Sequence, residues 1–289
     1  MNRLILAVLC GTIFLGAKVS PADLYLQGYD SKVHDRYYTG SDKAFVGQGY
    51  DWSGVGYSDD GHWATMISPS YFLSASHANF HPAVDSNVTF YETNDKSGTS
   101  HTYKIASGAA LQLAGNDTDL WLGKLAAPVD ANIAHYPVAV LGNNTSDYVG
   151  EEIFVYGKAN RVGRNVIDAA GAKYGYETIF LKFSYHNPGV GADEAYAVAG
   201  DSGAPSFVAL SYMGEQILAL IGTHSYNNGP PPPAAAIDYT LDAWITVYVD
   251  ALNNAMVGES VTVVPEPTTL CLLALGLPAL ARARRGRRR

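Results

Sequence analysis

The feature that most limits what this chain can fold into is its punctuation. Short runs rich in β-branched and aromatic residues are separated by Gly, Asn, Asp and Ser, and no helical period of useful length occurs before about residue 240. The runs include Ala64–Ile67, Tyr71–Ala75, Val88–Tyr91, Leu120–Leu122, Ile153–Tyr156, Thr178–Phe183, Pro205–Leu210 and Ile217–Thr223. Strands at this spacing predict an all-β barrel or sandwich, and neither a repeat nor a βαβ alternation is visible. The character changes at Tyr239–Ala255, where Leu241, Trp244, Ile245, Tyr248, Val249 and Leu252 mark one face of an expected helix. Asn227-Asn228-Gly229 and Pro230–Pro233 read as a stiff surface loop before it.

The two ends follow other rules. Arg3, the apolar stretch Leu4–Ala17 and the small residues of Ser20-Pro21-Ala22 predict a secretory signal over residues 1–22. At the other end, Val264-Pro265-Glu266-Pro267 precedes an apolar run, Leu270–Leu280, and six arginines in Arg282–Arg289. That run is shorter than the ~20 residues a membrane span needs. This order of parts resembles the PEP-CTERM sorting signal of Gram-negative bacteria. The resemblance implies transient membrane association through the tail (residues 265–289), cleavage by an exosortase-type enzyme, and release to the cell surface or extracellular matrix. The formal charge of −8 hides this division, because residues 23–264 carry 11 basic against 26 acidic side chains. So acidic a body argues against nucleic acid as a partner. Both cysteines, Cys10 and Cys271, fall in the end segments, so the body must rest on its core without a disulfide.

Three segments of the body carry chemistry. Tyr71–His77 is a strand ending in small residues and an imidazole, which can serve as a general base near neutral pH. Asp119 stands directly before the apolar alternation Leu120–Leu125, with Asp117 as an alternative acid; a carboxylate there can orient an imidazole. Gly200-Asp201-Ser202-Gly203-Ala204-Pro205 exposes a serine between glycines, with the N–H groups of Gly200 and Ser202 as candidate oxyanion donors. In this order the three segments resemble the chymotrypsin-type (trypsin-like) serine proteases, over about Phe45–Ala255. The resemblance implies two six-stranded antiparallel β-barrels with a C-terminal helix, divided near residues 130–150 of a domain spanning 23–264. It also implies Ser202 as nucleophile, His77 as base and Asp119 as its orienting carboxylate, a protein or peptide substrate, and no cofactor or metal. The alternative is a protease-fold binding or matrix protein without turnover.

The sequence departs from that family at several points. Ala78 stands where a disulfide cysteine is usual, and Ala204 where a glycine is usual. Phe45-Val46-Gly47-Gln48-Gly49 is a faint match to the activated N-terminus that pairs with the acid before the serine, here Asp201. A new N-terminus, Arg161 or Arg164, or backbone donors are the candidates to satisfy that acid. For specificity, Tyr196 lies six residues before the serine, where a carboxylate would select basic side chains. Gly222-Thr223-His224 resembles the pocket stretch of bacterial glutamyl endopeptidases, so His224 is a candidate receptor for acidic side chains, and Ser225 for substrate backbone. A zinc pair, His77 and His81, and a calcium set, Asp85, Glu92 and Asp95, are the less favoured metal readings.

Overall fold

The computed structural model describes residues 23–174, 177–185, 191–228 and 239–265. The leader, the proline run, both cysteines and the tail after Pro265 lie outside the described residues. The described chain opens with a short strand, β1 (Tyr25–Leu26), and one helical turn, α1 (Ser31–His34), whose N-cap Asp30 accepts from Lys32 N at 3.1 Å. Six strands then close an antiparallel barrel: β2 (Val55–Ser58), β3 (Trp63–Met66), β4 (Tyr71–Ala75), β5 (Asn87–Tyr91), β6 (Ser100–Leu113) and β7 (Asn116–Leu125). Around the barrel they run β2-β3-β4-β7-β6-β5, and Tyr57 opposite Thr89 joins the last strand to the first. Alternation does the work in β5: Val88 and Phe90 point into the barrel core beside Met66, Phe72 and Ile105, while Asn87 and Thr89 stay outside it.

The second half comprises β8 (Val138–Val140), β9 (Glu152–Gly157), β10 (Arg161–Val166), β11 (Ala169–Ala172), β12 (Phe180–Ser184), β13 (Ala195–Tyr196), β14 (Pro205–Tyr212), β15 (Glu215–Asn227) and β16 (Tyr239–Trp244). A 3-10 turn, Ile245–Tyr248, leads into helix α2 (Val249–Ala255), and the last strand is β17 (Val263–Pro265). Seven of these strands form the path β10-β9-β14-β15-β16-β12-β11, and β8 joins it through parallel pairing with β15 and β17. The expectation of two six-stranded antiparallel barrels is met in part, by a mostly β fold with one closed six-stranded barrel and a half-barrel. Among the described residues only the first closes, and the second is an open nine-stranded sheet with some parallel pairing. A side chain stands where backbone pairing would close it: the buried Asn165 on β10 donates to Ser184 O at 3.1 Å and Ala195 O at 2.8 Å.

The expected helix over Tyr239–Ala255 is also shorter than its apolar spacing suggested. Tyr239–Trp244 pairs with β12 on one side and β15 on the other, and sheet hydrogen bonding on both flanks overrides the helical period. Barrel and sheet share one core. Trp52 lies between them, 5.7 Å from the rings of both Tyr156 and Phe207, and Trp63 of β3 meets Tyr156 edge-on at 5.3 Å. That aromatic contact fixes the cleft between the halves. No helix among the described residues is long and apolar enough to cross a membrane. The last described strand, β17, ends at Pro265, one residue before Glu266-Pro267 in the sequence.

Candidate active site

The register of the barrel brings the first two candidate residues together. Ala75 at the end of β4 pairs with Leu120 of β7, which puts His77 over Asp119. The chain reverses sharply after His77, with Ala78 at φ 48° and Asn79 at φ 60°. For alanine such a left-handed conformation costs roughly 1–2 kcal/mol. Asp119 collects four donors. Its Oδ1 accepts from Ser76 N at 3.0 Å and His77 N at 2.7 Å. Its Oδ2 accepts from His77 Nδ1 at 2.7 Å and from the Ser225 hydroxyl. The Asp119 N–H donates to Thr178 Oγ1 at 2.8 Å. With Nδ1–H held by a carboxylate, Nε2 is the acceptor, and the Ser202 hydroxyl lies 3.0 Å from it. Asp117 does not compete: it is exposed and accepts from Gln112 Nε2 at 3.1 Å.

Ser202 comes from the other half, on the turn before β14. Gly200 (φ 102°) and Gly203 (φ 85°) hold left-handed conformations there, and a Cβ on Gly203 would lie 2.5 Å from Ser74 Oγ. Gly203 N donates to His224 O and Ala204 N to Asp201 O, each at 2.9 Å. The N–H groups of Gly200 and Ser202 donate to no acceptor among the described residues. The buried Asp201 is met by backbone, accepting from Lys158 N at 2.6 Å and Val198 N at 2.8 Å. The two arginines are engaged elsewhere, Arg161 with Asp23 and Asp35 and Arg164 with Glu152. Phe45 is buried, and the N–H groups of its neighbours Ala44 and Val46 bond to Lys32 O and Val33 O.

Burial pushes the Asp201 carboxyl from 3.8 up to about 6, against the opposing pull of its two N–H donors and of His224. The native state therefore holds this proton more tightly than the unfolded chain does. The stability it contributes is present below about pH 4 and is lost as pH rises through 6. Relative to Asp201→Asn, the wild type is expected to lose on the order of 3 kcal/mol between pH 4 and 7. Urea unfolding of the two proteins at matched pH measures that difference, and a gap constant with pH contradicts it.

Two candidate specificity residues are placed differently from expectation. Tyr196 is fully buried on β13, paired with Tyr25 of β1, and lines neither cavity beside Ser202. His224 does border the small cavity, but both its ring nitrogens are taken. Nδ1–H donates to Asp242 Oδ1 at 2.6 Å and Nε2–H to Tyr156 O at 2.9 Å. Burial is the largest influence and opposes charge on this ring, yet the Asp242 carboxylate, Asp201 and the Tyr156 carbonyl together outweigh it, and the pKa is raised. No nitrogen remains to receive an acidic substrate side chain. Ser225 spends its hydroxyl on Asp119. Sequence reasoning missed Thr178 and Asp242, whose roles depend on partners 59 and 18 residues away.

The metal readings separate as well. His81 stacks flat on Trp121 at 3.6 Å instead of joining His77. Asp85 pairs with Lys104 and Asp95 accepts from Ser97 N, apart from Glu92. Glu92, His101 and Asp130 do bring ligand-type atoms within 4.8 Å of one another. There the His101 hydrogen bond, at 2.7 Å, is the main cause holding the Glu92 carboxyl below its usual range, aided by Asn132.

Ser202 faces a cavity of about 470 Å³ lined by His77, Phe80, Thr178, Gly200 and Tyr226 among others. A hydroxyl bonded to an imidazole that a carboxylate orients, beside two free N–H groups, is equipped to attack a carbonyl and receive the resulting oxyanion. Among curated proteins, none matches this chain. Residues 263–289 match the PEP-CTERM protein-sorting motif, a finding that identifies the C-terminus as a sorting signal for export and exosortase recognition.

Proposed function

We propose that this chain is an exported serine endopeptidase that hydrolyses peptide bonds through an acyl-enzyme. His77 Nε2 takes the Ser202 proton as Oγ attacks the scissile carbonyl, and Asp119 supports the imidazolium that forms. Gly200 and Ser202 N–H groups hold the oxyanion, and His77 returns the proton to the leaving amine. Water, activated by the same imidazole, then releases the acyl group. These steps use only side chains, backbone and water.

The observation that carries the reading is the unbroken line from Asp119 through His77 to Ser202, 2.7 and 3.0 Å, assembled across two halves of the fold. The sorting motif suits delivery to the surface or matrix of a Gram-negative bacterium.

Treating the full chain with a fluorophosphonate and mapping the adduct by mass spectrometry tests the assignment. Modification at Ser202 is expected. An unmodified Ser202, in protein shown to be folded, would overturn the reading.

A further inference from the structure

We infer that Thr178 is a positioning residue for the triad: from the second half of the fold, its hydroxyl fixes the backbone of Asp119 and, through that carboxylate, the pose of His77. The inference rests on the serine endopeptidase reading. Asp119 lies on an irregular stretch of β7. The ladder between β6 and β7 shifts register between Ala110 and Gln112, so no residue of β6 is paired with Thr118, Asp119 or Leu120. Thr118 closes the gap on its own side, its hydroxyl donating to Leu111 O at 2.8 Å. The Asp119 N–H finds its acceptor outside the barrel, in Thr178 Oγ1 at 2.8 Å.

Thr178 is itself held in place. It is buried just before β12, and the next residue, Ile179, is clamped at both backbone groups. Ile179 N donates to the Tyr248 hydroxyl at 2.6 Å, and Ile179 O accepts from Trp244 N at 3.0 Å. Tyr248 and Trp244 are both buried in the core of the second half. A β-branched side chain has few rotamers, so this backbone presents the Thr178 hydroxyl in a fixed direction.

Asp119 is therefore fixed from three sides. The N–H groups of Ser76 and His77 set Oδ1, the Ser225 hydroxyl reaches Oδ2, and Thr178 holds the main chain. The first set belongs to the barrel. The Thr178 bond ties the Asp119 backbone to the half that carries Ser202, so it registers acid and base against the nucleophile. Without that acceptor, a partly buried N–H is unpaired and the irregular stretch is free to shift relative to Ser202. A displacement of about 1 Å at a group that orients a catalytic base lowers a rate by up to about 100-fold.

The experiment measures the rate at which a fluorophosphonate modifies Ser202 in the full chain, across pH, for wild type, Thr178→Val and Thr178→Ser, with the thermal midpoint of each. Valine keeps the shape and loses the acceptor; serine keeps the acceptor and loses the methyl group. Thr178→Val is expected to react about 10- to 100-fold more slowly than wild type, and Thr178→Ser to stay within about threefold of it. The pH midpoint of the reaction should also fall in Thr178→Val, because a displaced Asp119 supports the imidazolium less well. A smaller folded fraction alone would lower the extent of labelling and leave that midpoint in place. A wild-type rate in Thr178→Val, equal slowing in both variants, or slowing with an unmoved midpoint overturns the inference and leaves Ser202 as the nucleophile. Should Thr178→Val fail to fold, Tyr248→Phe removes the acceptor of Ile179 instead and is expected to slow labelling by about 3- to 10-fold, an unchanged rate overturning the inference. Absence of labelling in folded wild type takes down the endopeptidase reading itself, and the inference with it.

Discussion

Ser202→Ala is expected to lower kcat by about 10⁶-fold while leaving the thermal midpoint unchanged. The hydroxyl makes its side-chain hydrogen bond to His77 Nε2, and the residue is only partly buried, so truncation removes the nucleophile without opening a cavity. Asp119→Asn should be milder, about 10⁴-fold, and for a different reason. An asparagine amide directed at His77 would favour the tautomer with the proton on Nε2, which cannot accept from Ser202. It would also disturb the two backbone N–H groups and the Ser225 hydroxyl that converge on the carboxylate. Steady-state kinetics on a cleaved peptide, with calorimetry on each variant, separates these outcomes. Retention of more than a tenth of wild-type kcat in Ser202→Ala would remove that residue from the chemistry.

Asp242→Ala is expected to cost about 3–5 kcal/mol in urea unfolding. The loss leaves His224, 2% exposed, with its charge uncompensated in the interior and one ring N–H without an acceptor. His224 also accepts Gly203 N through its carbonyl, so the Ser202 turn would loosen along with the core. The pair is a poor source of net stability, because Asp242 Oδ2 is itself buried without a hydrogen-bond partner. Replacing both residues with leucine should therefore cost clearly less than the sum of the two single replacements. Additive losses in such a cycle would show that the two side chains do not act as a buried ion pair.

Legibility varied with how much of each element's environment was local. Tyr71–Ala75 is legible because every residue in it is buried and none is charged, a run that only a strand between two packed surfaces explains. Ser100–Leu113 was not anticipated: its burial is mostly partial or absent, so its strand character comes from pairing with β5 and β7. The same cause turned Tyr239–Trp244 from expected helix into strand. At the site, no one of His77, Asp119 and Ser202 stands out by its local context; they could be singled out because their three segments, taken together and in order, resemble one protease family. His224 had a suggestive neighbourhood and a different use, because the carboxylate that claims it belongs to another strand.

Sequence alone determined the all-β character of the body, its acidic charge, the absence of any disulfide within it, the sorting tail and the three residues that meet in the cleft. The first four are written in composition, period or short local motifs, and the last came from the resemblance of three ordered segments to a family. Only the tertiary structure decided that the second half is an open sheet among the described residues, that Asp201 is met by backbone N–H groups, and that His224 is spent on Asp242 and Tyr156. Each of those depends on which donor lies within about 3 Å of which acceptor across many residues of chain, and hydrogen-bond saturation at that range leaves no trace in the order of amino acids.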